Sequence, residues 1–278
     1  SGRTRWPHMA LDGGLVWLFD TGPRWNSDGA QPLSSPEAWH VGRTMRVLEL
    51  LAFAPLSAPQ LAAALHAQPR TVRRVVNRLV DEGYLTFRDE RRRIYEPTMR
   101  LVALAGQVVE NSTLVRTARP YVALLHERTG ASAHLVTTSY DKVVCLVHAA
   151  PGADVPRPHL RELVPAHCTA GGKALLAWRD RWRESVLDSD LARCTPKTTV
   201  EPEALRRLLE DVRAQGYAVE DGEYQTDVRA VAVPLLVSGD AVAALTVSGE
   251  RLDIDGVLAS LQATAHDLTA DLERERTQ

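Results

Sequence analysis

The side chains best suited to nucleic-acid chemistry crowd into one stretch, PRTVRRVVNRLVDEGYLTFRDERRRIYEPT, from Pro69 to Thr98. Val72, Val75, Val76, Leu79 and Val80 recur at helical spacing and predict one apolar stripe. The opposite face carries Arg70, Arg74, Asn77 and Asp81, with Arg73 and Arg78 on its flanks and Thr71 in its first turn. A guanidinium fork matches a phosphate or the edge of guanine, and an asparagine amide matches adenine. Further along, Arg88, Arg91, Arg92 and Arg93 cluster around a charged turn. The candidate DNA-contacting residues are therefore Arg70, Thr71, Arg73, Arg74, Asn77 and Arg78, followed by Arg88, Arg91, Arg92 and Arg93. The blander alternative is a solvated arginine-rich face on an ordinary helical domain. A helix, a tight turn and a basic hairpin in succession weigh against it.

A second stretch with chemical potential is HCTAGGKALLA, from His167 to Ala177. Its small, glycine-rich entry opens a strongly helical run. A phosphate-cradling Walker loop does not fit, because His167 stands where the first glycine belongs and Ala174 where serine or threonine belongs. A Cys168 nucleophile served by His167 is a weak reading, since sequence neighbours seldom face each other productively. A carboxylate held at the helix start by Thr169, Ala170, Gly171 and Gly172 fits best. A tight helix–sheet contact that needs small residues remains open beside it. The third constellation is acidic: Glu220, Asp221 and Glu223 precede a buried-looking strand, where they could hydrogen-bond a ligand or stabilise a turn.

These residues need elements to hold them. Ser57 and Gln60 have capping-box spacing with Pro59 in the first turn, so a short helix runs through Leu61, Ala62, Leu65 and His66. His66 to Pro69 then makes the tight connection that a helix-turn-helix requires. Upstream, Met45, Val47, Leu48, Leu50, Leu51 and Phe53 predict a longer helix over 41–54 that walls the small core. Gly83 is placed to end the arginine-rich helix, a strand follows over 84–87, and Ile94-Tyr95 begins the return strand. Thr98 is placed to cap a helix with a Leu101, Leu104, Ala105, Val108 and Val109 stripe, suited to joining domains and to pairing with a second copy.

Beyond Asn111 helices and strand pairs alternate: a helix over 115–128 ended at Gly130, and strands over 133–138 and 142–148 around Tyr140-Asp141. A Pro-rich loop over 149–158 follows, with helices over 169–178 and 203–215, the latter ended at Gly216. A hairpin over 228–237 and 241–247 and a final helix over 257–274 complete the chain. Strand pairs separated by helices indicate an α+β domain with an antiparallel sheet.

Composition sets the frame. The 278 residues suffice for two domains. From His40 to Arg100, 11 arginines face 6 acids, a net charge of +5, whereas residues 101–278 carry −6. A basic module joined to an acidic one implies that only the first meets phosphates. Three cysteines, Cys145, Cys168 and Cys194, form no disulfide framework and show no metal-ligand spacing, so no metal or cofactor is expected. Cysteine usage and the lack of any run of 18 apolar residues point to a cytoplasmic chain. The first 38 residues, poor in periodicity, are expected to be a loosely ordered leader, with Ser1 to Met9 resembling a cloning remnant. Trp17, Trp25 and Trp39 are unusual for such an arm and are candidates to pack on the body or on a partner chain.

Taken together, the motifs resemble the IclR family of bacterial transcription regulators over roughly Trp39 to Glu273. The matching stretches are Thr71-Val72 with Arg74, Val80 to Leu85, and Thr169-Ala170 with Gly172 to Ala177. Thr195 with Thr198-Thr199, Gly216 to Ala218, Asp221 with Glu223-Tyr224, Val228-Arg229, Ala232 with Pro234, and Val247 to Gly249 follow in order. The resemblance implies an α+β protein with an N-terminal winged helix-turn-helix over 39–97, a linker helix over 98–112 and a C-terminal GAF-like α/β effector-binding and oligomerisation domain over 113–278. It implies a homodimer, in some members paired into a tetramer, on a double-stranded DNA operator, governed by a small organic-acid effector. Carried over by position, the effector lies against the Ala170-Gly171-Gly172 helix start and is faced by Glu220, Ala230 and Ser248. Ala230 stands where the family often has cysteine or serine, Asp227 where it often has glycine, and Gly222 where a second acid is common. The missing polar group at Ala230 implies a more apolar effector or a domain without one. An enzyme is not expected, because Cys168 and Glu223 belong to no coherent nucleophile–base set.

Overall fold

The computed structural model describes residues 36–139, 142–150 and 163–277, and the chain divides into two compact units that meet at Val108 and Val109. The division falls within the expected linker.

In the N-terminal unit, α1 (Pro36–Phe53), β1 (Leu56–Ser57), α2 (Ala58–Ala64) and α3 (Pro69–Asp81) precede the hairpin β2 (Leu85–Asp89) and β3 (Ile94–Pro97). Both β1 and β2 pair antiparallel with β3, giving the order β1-β3-β2. Gln60 Oε1 accepts from the Ser57 amide at 2.9 Å, which fixes the start of α2. The turn to α3 places His66 at φ 45°, and the Ala67 amide reaches back to Ala62 O at 2.9 Å. At the far end of α3, Gly83 takes φ 75° while the Gly83 and Tyr84 amides cap the Val80 and Leu79 carbonyls. The core joins Val47, Leu50 and Leu51 of α1 to Leu61 of α2, Val72, Val76 and Leu79 of α3, and Leu85 and Tyr95 of the hairpin. This is a winged helix-turn-helix.

In the C-terminal unit six antiparallel strands form one sheet, ordered β6-β5-β4-β9-β8-β7. Its strands are β4 (Ser132–Ser139), β5 (Lys142–Ala149), β6 (Leu163–Pro165), β7 (Ala218–Asp221), β8 (Arg229–Val237) and β9 (Asp240–Gly249). The period of two along a strand divides their side chains between the two faces. Leu135, Val231, Leu235, Leu245 and Val247 meet α5 (Thr113–Thr129) and α9 (Ile254–Thr277) on one face. Val136, Val143, Cys145, Ala230, Ala232 and Ala244 meet α6 (Ala170–Leu176) on the other, with α7 (Asp180–Leu187) and α8 (Pro202–Gln215) behind it.

α4 (Arg100–Glu110) crosses the division between the units and has no buried residue; Met99, Val102, Leu104 and Val108 are exposed. Thr98 stands before it, its hydroxyl accepting from the Arg100 amide at 3.3 Å.

Several expectations shift. Helix α1 begins at Pro36, ahead of residue 41, and Met45 and Phe53 are 55% and 63% exposed rather than core. Leu65 and His66 fall outside α2. Of the acidic run, for which a ligand contact and a turn were both open, Glu220 and Asp221 fall on the edge strand β7, and β6 and α7 are additions to the expected elements. The turn at Tyr140-Asp141, Trp17 and Trp25, the leader up to residue 35 and positions 151–158 of the expected loop lie outside the described residues. Among the described residues no helix is long and apolar enough to cross a membrane.

Candidate functional site

The face of α3 away from the core exposes Arg70, Arg73, Arg74, Asn77 and Arg78, with Thr71 half-buried. Not all of these cations are equally free. Arg78 pairs with Glu82 at 2.6 Å and Arg88 with Glu96 at 3.8 Å, whereas Arg70, Arg73, Arg74 and Arg91 make no ion pair among the described residues. Asn77 is also tethered: its Oδ1 accepts from the Tyr95 hydroxyl at 3.3 Å, tying the recognition face to the buried anchor of the hairpin. At the hairpin tip the Arg92 amide donates to Asp89 Oδ1 at 3.0 Å, and Arg93 stacks 5.3 Å over the Phe87 ring. These contacts hold the tip in a defined shape and leave Arg91 and Arg92 outward.

The C-terminal unit holds a partly open cavity of about 90 Å³ on the α6 face of the sheet. Roughly 10–15 Å³ suffices for one water, so a small organic molecule fits. Strand register builds the floor. Glu220 on β7 lies opposite Ala230 on β8, which lies opposite Ser248 on β9; one step along, Thr246 faces His134 on β4, and His134 faces His148 on β5. Val136, Val143, Cys145, Val164 and Val228 add apolar walls, Thr169, Ala170 and Gly171 form the roof, and Tyr224 and Gln225 close one side.

The polar groups in this mainly apolar space are held in definite states. His134 is 5% exposed, stacks 4.8 Å from His148, and its Nε2 lies 2.7 Å from Ser248 Oγ. Burial, with the neighbouring His148 adding to it, lowers its pKa from 6.5 to about 3, so the ring is neutral. Glu220 is 4% exposed, and burial raises its pKa from 4.5 to about 7, although the Tyr224 amide at 3.1 Å and the Lys173 charge favour the carboxylate. Burial likewise pushes the Cys145 thiol up to about 12. Thr246 Oγ1 is buried and has no hydrogen-bond partner among the described residues. An unpaired buried hydroxyl is costly in a folded protein, and a polar ligand atom would relieve it.

Of the eight residues singled out from the sequence, the fold brings Thr169, Ala170, Gly171, Glu220, Ala230 and Ser248 around this cavity. Gly172 and Glu223 are not on its wall. A Cβ on Gly172 would sit 2.1 Å from Ala166 O, so this glycine lets the helix close on the preceding backbone. Glu223 is instead the ion partner of Lys173, which is 1% exposed. Gly171 serves both open readings: it lines the cavity, and a Cβ there would lie 2.3 Å from Val136 Cγ2. His167 Nε2 meets Ala192 O at 2.9 Å, while the Cys168 thiol faces Pro165 O and the Cys194 sulfur. His134, Cys145 and Thr246 were missed. The signal available was a period-two pattern that puts a polar residue on the face covered by α6. Gly172→Ala is expected to cost about 1–3 kcal/mol through overpacking, measured by calorimetry; an unchanged melting temperature would mean that the helix can retreat from Ala166.

Residues 106–272 match the family described as bacterial transcriptional regulator IclR, C-terminal. The chain is similar to the Pca regulon regulatory protein of Pseudomonas putida, 30% identical over 201 residues that cover 69% of this chain and 67% of that protein. Among solved structures it is similar to an IclR transcriptional regulator from Alicyclobacillus acidocaldarius, with 26% identity, a TM-score of 0.71, and coverage of 83% of this chain and 97% of that one. It is also similar to an IclR homologue from Microbacterium hydrocarbonoxydans complexed with 4-hydroxybenzoate, with 26% identity, a TM-score of 0.68, and coverage of 84% and 99%. A basic winged helix-turn-helix, a six-stranded domain with a covered cavity, and a family match over more than half the sequence agree with one another, and the chain belongs to the IclR family of bacterial transcriptional regulators.

Proposed function

We propose that this regulator binds a specific DNA operator through α3 and the β2–β3 wing, and that a small organic acid in the C-terminal cavity controls that binding. The observation that carries the DNA reading is the exposed, unpaired set Arg70, Arg73 and Arg74 beside a shaped basic hairpin tip. In this reading Thr71, Asn77 and Arg78 complete the helix contacts, and Arg88, Arg91, Arg92 and Arg93 meet the phosphates. Effector binding favours one arrangement of the paired DNA-binding modules over another and so changes operator fit. The partner is a second copy of the chain, and the exposed Leu104 and Val108, one turn apart on α4, supply an apolar stripe for it.

For the effector, the 4-hydroxybenzoate bound by the Microbacterium hydrocarbonoxydans homologue supplies a first probe. The cavity wall has no lysine or arginine among the described residues. A carboxylate would therefore be met by hydroxyls, Thr246 and Ser248, and by Glu220 in its protonated form.

The test is a fluorescence-anisotropy titration against the native upstream duplex and a scrambled one, at several salt concentrations. Preference for the native duplex that weakens with salt is the expected result. Equal weak binding to both duplexes, with no preferred site in a genome-wide selection, would remove the reading. Arg74→Ala is expected to weaken operator binding by roughly tenfold, the loss of one good contact, and to leave the melting temperature unchanged. Unaltered affinity would displace the recognition face from this side of α3. A thermal-shift panel of carboxylic acids, begun with 4-hydroxybenzoate, tests the effector half. A broad panel without a hit would leave a ligand-independent regulator.

A further inference from the structure

Cys168 and Cys194 stand 26 positions apart in sequence, yet their Sγ atoms are 3.7 Å apart. They differ in access: Cys168 is fully buried before α6, while Cys194 is exposed on the connection between α7 and α8. Both sides of the pair lead to the cavity. Thr169 and Ala170, next to Cys168, form its roof. On the Cys194 side the chain folds into a clamp. The Cys194 and Thr195 amides donate to Thr198 Oγ1 at 3.0 and 2.8 Å. The Thr195 hydroxyl then donates to Gly222 O at 2.7 Å and the Thr198 hydroxyl to Glu223 O at 2.7 Å. Glu220, Tyr224 and Gln225, on either side of that clamped turn, line the cavity.

We propose that Cys168 and Cys194 are an oxidisable pair that forms a reversible disulfide and thereby ties the roof of the cavity to the turn that closes its side. The oxidant is a peroxide. Cys194 Sγ, reached from solvent, attacks one peroxide oxygen; an S–O bond forms, the O–O bond breaks, and the departing hydroxide takes the Cys194 thiol proton and leaves as water. Cys168 Sγ then attacks Cys194 Sγ; the S–S bond forms, the S–O bond breaks, and the leaving hydroxide takes the Cys168 thiol proton. Two thiols lose two electrons, and hydrogen peroxide becomes two waters. The hydrogen bond between the sulfurs lowers the Cys194 pKa and raises that of Cys168, which burial and the nearby Glu220 and Glu223 raise further. The exposed thiol is thus the readier thiolate. Closing the sulfurs to about 2.05 Å asks for side-chain rotation plus a small movement of the connection that carries Cys194, which has no regular helix or strand there. The consequence for an effector rests on the cavity reading above, whereas the bond itself does not.

The experiment treats the full chain with hydrogen peroxide, alkylates the remaining thiols, and digests it without reduction for mass spectrometry. The expected product is a Cys168–Cys194 linked peptide pair, two hydrogens lighter and released by dithiothreitol, with Cys145 still alkylated. Cys194→Ser abolishes the link, and Cys168→Ser leaves a Cys194 sulfenic acid that dimedone traps. Cys194 joined to Cys194 of a second copy, or overoxidised while Cys168 stays alkylatable, would overturn the proposal. Amide exchange then reads the tie: residues 169–176 and 220–225 should exchange roughly tenfold or more slowly in the oxidised protein, with α5 unaffected. Unchanged exchange in a fully linked protein would show that the bond does not act on the cavity, whether or not any effector is found.

Discussion

Lys173→Met is expected to destabilise the C-terminal unit by about 3–5 kcal/mol, the usual cost of stripping one partner from a buried ion pair. Lys173 lies within α6 at 1% exposure, and its ammonium donates to Glu223, whose side chain is 13% exposed. The same charge favours the ionised form of Glu220 nearby. Removing the cation strips the Glu223 carboxylate of its ion partner, leaves its other oxygen without a hydrogen bond among the described residues, and takes a nearby positive charge from Glu220. The double variant Lys173→Met with Glu223→Leu should recover most of the stability, because the pair itself contributes little beyond satisfying its own members. Opening free energies from amide exchange in β8 and β9 measure all three proteins. A double variant as unstable as the single one would mean that Lys173 supports α6 by packing and not by charge.

Local signals were legible in the sequence. The α3 stripe, the left-handed Gly83 and the Ser57–Gln60 cap each depend on a few adjacent residues, and each appears as expected. The division of charge between a basic and an acidic region also needed no structure. What failed was burial determined from outside the segment. Met45 and Phe53 fit a helical pattern but fall on the exposed side of α1. His134 reads as the polar member of an alternating strand, and only the covering helix α6 turns that face inward. Glu220 and Asp221 look like turn residues, yet pairing with β8 makes them a strand and puts one carboxyl inside and the other outside. Cys168 and Cys194 become neighbours only because the connection after α7 returns to the start of α6. The ion partner of Lys173 lies 50 positions away, beyond the reach of any local pattern.

His134→Asn and Glu220→Gln are expected to change the pH dependence of stability in opposite directions, because the fold opposes the charged form of both groups. The folded pKa of His134 is depressed, from 6.5 to about 3, so its favourable contribution is present above 6.5 and is lost as pH falls below that. Full protonation in the unfolded chain alone would cost on the order of 4–5 kcal/mol near pH 3. The folded pKa of Glu220 is raised, from 4.5 to about 7, so stability is fully present below 4.5 and is lost as pH rises to about 7. That loss is on the order of 3 kcal/mol by pH 8. Between pH 4.5 and 6.5 the two slopes oppose each other, and their joint contribution in the native protein is nearly flat. Glu220→Gln removes the falling slope: its stability should climb to about pH 6.5 and then hold, and at pH 8 its melting temperature should exceed the native one by roughly 6–12 °C, at about 2–4 °C per kcal/mol for a unit of this size. His134→Asn removes the rising slope, so its stability should decline steadily from pH 4.5 to about 7, whatever constant loss the smaller side chain brings. Calorimetry across pH 4 to 9 separates the cases, since the slope and not the absolute melting temperature carries the assignment. If Glu220→Gln tracks the native protein throughout, Glu220 ionises in the folded chain as it does in water, and the cavity holds no proton that an acidic effector could use.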